Sequence, residues 1–367
     1  LFPTKKIFNT QGQNYTPVDA EMMLSYREST DGQIMHTGIN EAGSAALFQV
    51  VGTSYATHGE PMIPVYIFYS MFGFQRTADQ FWAAGDQLTR GFIMGATAGR
   101  TTLAGEGTQH MDGHSPLISA TNEAVVTYDP GYAYEIRHIV RDALERWYGP
   151  ESGRNRDVMY YLTVYNEPIH QPAEPEDVDV EGIIKGIYRL SGPADGDGPE
   201  VQLLASGVGL PWIEEARRVL AEDWGVRAST WSVTSWNELR RDALAAEREN
   251  FLNPTGEQRV PFVTSRLQET QGPFIATSDY DHLVADQIRK WVPGSYHTLG
   301  ADGFGFSETR PAARRFFLID SASVVVKALQ ALADEGKLGR DVVAQAIARY
   351  DLTNVNAGTS GSDGGEA

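Results

Sequence analysis

Short apolar runs alternate with helix-forming segments along the first half of the chain, and this alternation limits the fold more than any other feature. The runs are rich in aromatic and branched residues and lie at 62–69, 91–96, 124–128 and 158–164. Runs of this kind are typical of strands covered on both faces, as in parallel sheets. Helices are predicted between them at 40–56, 77–90 and 131–147. The order predicts an α/β fold with a mostly parallel sheet flanked by helices.

The second half repeats the alternation after an acidic, proline-containing stretch and a glycine-rich loop between 171 and 200. Strands are predicted at 201–205, 229–233, 260–263 and 274–277, a short strand or turn at 182–189, and helices at 211–222, 280–291, 311–317, 321–333 and 339–349. A chain of 367 residues is too long for one ordinary hydrophobic core. We therefore predict two α/β domains with mostly parallel or mixed sheets, at 1–180 and 181–352, and a disordered tail at 353–367.

Composition excludes several classes of protein. The 30 basic and 48 acidic residues give a net charge of −18, which argues against a nucleic-acid partner. The basic segments 217–227 and 310–315 are interpreted as solvated helix faces. No apolar run reaches the roughly 18 residues of a membrane span, and the absence of cysteine excludes disulfides and thiolate chemistry. We expect a soluble cytoplasmic protein without a nucleic-acid or membrane partner.

Two histidines and an aspartate lie within the five residues 110–114, HMDGH. Imidazole and carboxylate groups are common ligands of transition metals. One short loop rarely completes a coordination shell, however, and the other six histidines are distant in the sequence. We therefore predict no metal ligands in this chain.

Other segments are ambiguous when each is considered alone. Glu41 is in the first turn of a predicted helix, where any carboxylate complements the helix dipole. Tyr69 and Phe72 follow the first predicted strand, at the sheet edge where α/β proteins bind ligands, although aromatic residues here are more often part of the core. The polar loop at 105–115 carries His110, and a loop of this composition is more often functional than required for packing.

Together these segments resemble a known family. GINEAG, PMIPVYIFYSMFGFQR, FWAAGDQ and GRTTLAGEGTQHMDGHS are similar to the pyrimidine-binding domain of homodimeric pyruvate dehydrogenases, the thiamine-diphosphate-dependent first components of their complex. VQLLASG, WSVTSWNELRRD, TSDYDHLVADQIRKWVP and LGADGFGFSETRPAARRFF resemble the transketolase-like C-terminal domain. The resemblance covers nearly the whole chain apart from its tail, and SMFGFQR followed by GEGTQH is its most specific part. By this resemblance, the chain corresponds to the C-terminal portion of the enzymes of this family.

The resemblance implies roles for individual residues. Glu41 occupies the position of the glutamate that shares a proton with the pyrimidine ring of thiamine diphosphate and so activates the cofactor. Tyr69 and Phe72 fall on the aromatic positions that hold this ring, which suits a flat heterocycle. His110 falls on a histidine that lines the active centre and orients the substrate or transfers a proton during reductive acetylation.

Further residues are implied as substrate-channel or supporting groups. Arg76, Glu106 and Asp112 lie close in sequence to the residues above. The stretch 10–31 resembles a mobile loop near the channel entrance, with Tyr15 and Asp19 as its candidate substrate contacts.

The implied reaction is decarboxylation of pyruvate and transfer of the two-carbon unit to the lipoyl group of a separate acyltransferase component. Its cofactors are thiamine diphosphate and Mg²⁺. The N-terminal portion of such an enzyme carries the magnesium and diphosphate motif, and the sites lie between the subunits of a homodimer. We expect this chain alone to be inactive, with an exposed apolar face. It is then a cleavage product bound to its N-terminal portion, or a catalytically silent fragment.

Two alternatives remain open. One is another transketolase-like thiamine enzyme that acts on a different 2-oxo acid or on a sugar phosphate. The other is a non-catalytic docking module, for which the charge of −18 would be the main argument.

Overall fold

The computed structural model of the protein describes residues 6–22, 27–103, 105–150 and 154–358. The elements of the first half are, in chain order, β1 (Ile7–Phe8), β2 (Glu28–Ser29), α1 (Glu41–Gly52), α2 (Ser54–Thr57), β3 (Val65–Tyr69), α3 (Ser70–Asp86), β4 (Gly91–Ala96), α4 (Ser115–Ala120), β5 (Val125–Tyr128), α5 (Ala133–Tyr148) and β6 (Met159–Val164). The predicted strands of this half are therefore present. The predicted helix at 77–90 begins earlier, at Ser70, directly after β3.

The first four-stranded sheet is parallel and has the strand order β3-β4-β6-β5. On one face, Phe48 of α1 and Phe74 and Phe81 of α3 pack against Ile93 and Tyr161. On the other face, α5 packs its apolar side against the alternate residues of the same strands. Helices thus cover both faces of the central strands, as predicted.

The edge strand β3 differs from the prediction. A strand covered on both faces was expected at 62–69, yet β3 begins at Val65, and Val65 and Ile67 are 54% and 63% exposed. That prediction is wrong for this strand because β3 lies at the edge of the described sheet, and no described helix covers the face with these two side chains. An apolar strip is therefore left at the surface, which agrees with the expected exposed apolar face.

The second half contains its own sheet. Its elements are α6 (Val180–Lys185), β7 (Tyr188–Ser191), β8 (Glu200–Ala205), α7 (Leu210–Trp224), β9 (Arg227–Ser232), α8 (Trp236–Leu252), α9 (Phe262–Leu267), β10 (Phe274–Thr277), α10 (His282–Asp286), β11 (Tyr296–Leu299), α11 (Arg310–Phe317), α12 (Ser321–Asp334) and α13 (Arg340–Arg349). The strand order is β11-β10-β8-β9-β7, and only β7 is antiparallel to its neighbour. The predicted fold class, two α/β units with mostly parallel or mixed sheets, is confirmed.

Several local predictions in this half are wrong. The strand predicted at 260–263 is replaced by α9, which begins directly after Pro261. The single helix predicted at 280–291 is the short helix α10 followed by a 3₁₀ turn at Arg289–Trp291. The segment at 182–189 contains most of α6 before it enters β7.

The segment Arg310–Asp334 is long and apolar enough, by composition, to span a membrane. It comprises two helices, however, because Leu318 has a φ of 56° and ends α11 before Asp320 caps α12. The apolar side chains of α12 are buried in the same core cluster as β8 and α7. They pack as a helix of a protein core does.

The largest core cluster joins the two halves of the chain. It contains Phe92 and Tyr160 of the first sheet together with Leu203 and Val325 of the second half. The division at 180/181 therefore remains a prediction. The predicted disordered tail begins with a 3₁₀ turn at Val355–Ala357 that lies against α11, and residues 359–367 lie outside the described residues.

Candidate functional site

The candidate site lies at the carboxyl ends of β3 and β4. Tyr69 is the last residue of β3, and α3 begins at the next residue. This abrupt change from strand to helix places Phe72 in the first turn of α3 and Arg76 one turn later, on the same helix face. Ligands of open α/β sheets collect at this edge.

Three rings come together here. The ring centroids of Tyr69 and Phe72 are 5.0 Å apart, and those of Phe72 and His110 are 5.4 Å apart with the planes at 85°. The Tyr69 and His110 rings are 6.3 Å apart. Nδ1 of His110 is buried and has no hydrogen-bond partner among the described residues. A buried ring nitrogen without a partner is unfavourable unless a ligand or water satisfies it.

Glu41 is the first residue of α1. The preceding Asn40 caps this helix, because its side chain accepts a hydrogen bond of 2.9 Å from the Gly43 amide. Arg76 Nη1 donates to Glu41 Oε1 at 2.7 Å, and the Arg76 guanidinium lies 4.3 Å from the centroid of the Phe72 ring. The carboxylate is thus connected to the aromatic group through one arginine.

The supporting residues differ in their exposure. Glu106 Oε2 is 3.9 Å from His110 Nδ1, and both side chains are partly exposed. Burial, followed by the negative charge of Glu106, raises the pKa of the Tyr69 hydroxyl. Asp112 is fully buried and accepts hydrogen bonds of 3.0 Å from the amides of His114 and Ser115. It is therefore a supporting residue beneath the site rather than one that a substrate would touch.

Tyr15 and Asp19 lie in the N-terminal segment. The Tyr15 hydroxyl donates to Glu28 Oε1 at 3.0 Å, and Asp19 is exposed. The described contacts of Glu41 and His110 do not include either residue. Part of the predicted mobile loop at 10–31, residues 23–26, lies outside the described residues, so its contact with the site remains a prediction.

Metal ligands are not grouped in the described part of the chain. No cluster of three or more histidine, cysteine, aspartate or glutamate residues is placed there to hold a metal ion. Asp112, the carboxylate of the HMDGH segment, is occupied by backbone amides.

Residues that the sequence did not single out connect this site to the second half. Thr101, on the loop after β4, hydrogen-bonds to Asp279, which follows β10. Burial raises the pKa of the Asp279 carboxyl to about 7, although Arg314 and Thr101 act in the opposite direction. Arg314 and Glu167 form a buried ion pair. The interpretation of 310–315 as a solvated face is therefore wrong, because Arg314 and Arg315 point into the protein. The sequence showed that SDY and RPAARRFF resemble segments of the family, but it did not predict that side chains in them are buried.

The arrangement suits a flat heterocycle with a polar edge. It offers a carboxylate, aromatic faces and a ring nitrogen without a partner, all at one sheet edge.

Residues 1–172 match the family model of the pyruvate dehydrogenase E1 component middle domain, and residues 186–320 match the transketolase-like C-terminal domain. The chain carries the middle domain of the pyruvate dehydrogenase E1 component, followed by a transketolase-like C-terminal domain. The family resemblance predicted from the motifs is thereby confirmed.

Curated relatives are similar to this chain along nearly its whole length. The chain is 59% identical over 351 residues to the pyruvate dehydrogenase E1 component of Corynebacterium glutamicum, covering 96% of this chain and 38% of that protein. Over 367 residues it is 56% identical to the E1 component of Mycolicibacterium smegmatis, covering 100% of this chain and 39% of that protein. The chain thus spans well under half the length of the curated relatives that it matches.

Solved structures show the same fold at much lower identity. Transketolase from Campylobacter jejuni superposes with a TM-score of 0.62 at 17% identity, covering 82% of this chain and 40% of that one. At this identity the similarity concerns the fold, and it agrees with the family's transketolase-like C-terminal domain.

Proposed function

We propose that the chain forms the pyrimidine-binding and C-terminal parts of a pyruvate dehydrogenase E1 component that uses thiamine diphosphate. The reaction is oxidative decarboxylation of pyruvate with reductive acetylation of a lipoyl group on an acyltransferase component. The observation that carries the proposal is the group of Glu41, Arg76, Phe72 and His110 at one sheet edge. The similarity to these relatives supports the choice of substrate and acceptor.

The residues present fit the pyrimidine half of the cofactor. Glu41 would hold the proton at a ring nitrogen, while Tyr69 and Phe72 would lie against the ring faces. When it is bound, thiamine diphosphate supplies the nucleophilic carbon and the electron sink of the reaction, and the protein supplies orientation and proton transfer. The helix start at Glu41 suits this task because the carboxylate is stabilised there without being fully buried.

The protein groups around the substrate would have separate tasks. His110 would orient pyruvate or transfer a proton during acetyl transfer, since its Nδ1 has no partner in the described structure. Glu106 lies beside that imidazole, with its Oε2 3.9 Å from Nδ1. The rings of Tyr69 and Phe72 would exclude water from the reacting atoms.

The magnesium and diphosphate part of the site is proposed to come from the portion of the enzyme that this chain does not span, or from a partner chain. The support is that the described residues contain no cluster of metal-ligating side chains. The exposed strip of Val65 and Ile67 is consistent with a covering polypeptide. We propose a homodimer in which this chain alone is inactive. Its cytoplasmic location remains a prediction.

The decisive experiment restores the missing portion. The chain would be coexpressed with the N-terminal portion of the same enzyme, and pyruvate-dependent reduction of ferricyanide would be measured with thiamine diphosphate and Mg²⁺. Other 2-oxo acids and sugar phosphates serve as competing substrates. Turnover of pyruvate that requires thiamine diphosphate is expected. Turnover confined to the other substrates would replace the proposal by another transketolase-like activity, and stable assembly without any turnover would favour a docking module.

A further inference from the structure

The loop that carries His110 is held largely by the other half of the chain. This His110 loop comprises residues 97–114, of which Ala104 is not described. Its first part is buried, with Arg100, Thr101 and Thr102 at 4%, 1% and 0% exposure. Buried backbone and side-chain polar groups require hydrogen-bond partners, and many of the partners here lie beyond residue 270.

Asp279 supplies several of those partners. Its carbonyl accepts from the Arg100 amide at 2.9 Å, and its carboxylate accepts from the Thr101 amide at 3.2 Å. The Thr101 hydroxyl donates to Asp279 Oδ1 at 2.6 Å. Arg314 Nε donates to the same hydroxyl at 3.3 Å. The loop backbone lies so close to Asp279 that a Cβ atom on Gly99 would be 2.2 Å from Asp279 Oδ2.

The part of the loop around His110 is fixed in the same way. Arg100 Nη1 donates to the carbonyl of Met111 at 2.6 Å, and its Nε donates to the carbonyl of Ala301 at 3.2 Å. The Gly305 amide donates to the Thr108 carbonyl at 3.0 Å, and the Asp281 amide donates to the Gly113 carbonyl at 2.8 Å. Three of these four bonds join the loop to the second half of the chain, and they lie before and after His110.

We propose that Asp279 and Thr101 are positioning residues for His110, through which the C-terminal half sets the geometry of the active centre. This inference rests on the proposed function for its effect on turnover. Neither side chain contacts the rings of the site in the described structure, so the effect is transmitted by the loop backbone and by Arg100. A displacement of reacting groups by about 1 Å can cost roughly 100-fold in rate.

The absence of cysteine allows a direct test of loop order. A single Gln109→Cys substitution at an exposed position of the loop would carry one nitroxide label, since the chain has no other cysteine. Its mobility would be measured by electron paramagnetic resonance in the 367-residue chain, in the labelled parent and in three further variants. Thr101→Val removes the hydroxyl, and Thr101→Ser retains it. Thr163→Val is the matched control, because the Thr163 hydroxyl donates to the buried Asp129 at 2.5 Å and neither residue belongs to the loop.

Thr101→Val is expected to increase the mobility of the label, while Thr101→Ser and Thr163→Val leave it at the parental level. In the unlabelled enzyme assembled with its N-terminal portion, Thr101→Val should lower kcat for pyruvate by about 10-fold to 100-fold with little change in KM. Thr101→Ser should restore turnover. Parental mobility in Thr101→Val, or an equal increase in Thr163→Val, would overturn the proposal.

A second variant covers the case in which Thr101→Val does not fold. Arg310→Met removes the 2.9 Å bond from Nε of this partly exposed arginine to the Thr102 carbonyl, and it should also raise label mobility. Unchanged mobility of the label in Arg310→Met would contradict the proposal that the C-terminal half positions the loop. If the parental enzyme fails to use pyruvate, the proposed function is wrong, and label mobility still decides whether the loop is positioned in this way.

Discussion

Nη1 of Arg76 lies 2.7 Å from Oε1 of Glu41 and joins α3 to the first turn of α1. The arginine side chain is 50% exposed and that of the glutamate 18% exposed, so water screens the pair. The Tyr66 hydroxyl also donates to the Glu41 carbonyl at 3.3 Å, and burial with the Glu41 charge raises the pKa of Tyr66 to about 12. Arg76 thus contacts the carboxylate of Glu41, and Tyr66 contacts the backbone of the same residue.

Removal of this ion pair should have little effect on stability. Arg76→Met is expected to change the free energy of unfolding by less than about 1 kcal/mol, because exposed pairs contribute little. Arg314→Met is the matched comparison, since it breaks the buried pair with Glu167 and should cost about 3–5 kcal/mol. Urea unfolding followed by circular dichroism would measure both. Equal losses in the two variants would show that the Glu41 pair is not screened.

Glu41 should matter for turnover rather than for folding. In the assembled enzyme, Glu41→Gln should reduce pyruvate turnover by about 10²-fold to 10⁴-fold, because a neutral amide cannot share the proton of the pyrimidine ring. Glu41→Ala should behave similarly. Glu238→Gln is the control, since Glu238 also lies in a first helical turn and pairs with an arginine, Arg241, at 3.1 Å. A near-normal rate in Glu41→Gln would refute its assigned role.

Asp279 should make stability depend on pH. Its pKa in the folded protein is raised to about 7 by burial, so the folded state binds more protons than the unfolded state between about pH 4 and pH 7. Its contribution to the free energy of unfolding therefore falls as the pH rises through that range, by at most about 1.4 kcal/mol per pH unit. The charges that act on it are those of Arg314, Glu167 and Arg100.

Asp279→Asn removes that titration. Relative to the parent, the variant should gain stability from pH 5 to pH 7.5 in parallel urea titrations. Asp195→Asn, at an exposed loop position, should follow the parental profile. A difference between Asp279→Asn and the parent that stays constant with pH would contradict the raised pKa.

The uncovered strand should tolerate substitution. Ile67 on β3 is 63% exposed, whereas Ile93 on the neighbouring strand β4 is fully buried. Ile67→Ala should cost less than about 1 kcal/mol, and Ile93→Ala about 2–5 kcal/mol. Ile67→Lys should reduce self-association of the isolated chain in sedimentation velocity, because a charge blocks edge contacts. Unchanged self-association would show that the exposed strip of Val65 and Ile67 does not mediate it.

The sequence predicted the central elements of the fold well. The strand at Phe274–Thr277 has the predicted bounds, and α12 differs from its prediction by one residue at its end. The helix α8 was not predicted because Leu239, Ala243 and Ala246 form its buried stripe, and two of these are small residues within a highly charged sequence. The apolar pattern that identifies helices is weak when alanine provides the contacts.

The candidate site was predicted in part. The proximity of Tyr69, Phe72 and His110 follows from strand ends that share one sheet edge. The bond between Thr101 and Asp279 joins residues 178 positions apart, and it depends on how the two halves dock. Periodicity along the sequence carries no information about such docking, so the sequence could not identify Thr101 and Asp279 as residues that support the site.

The hydrogen bonds of the His110 loop have a consequence for protein engineering. A chimaera that exchanged the C-terminal half at a boundary near residue 180 would separate Thr101 from the Asp279 with which it is matched. The loop and its hydrogen-bond partners depend on each other structurally, although they are far apart in the sequence. A successful exchange must therefore transfer residues 97–114 together with the half that holds them.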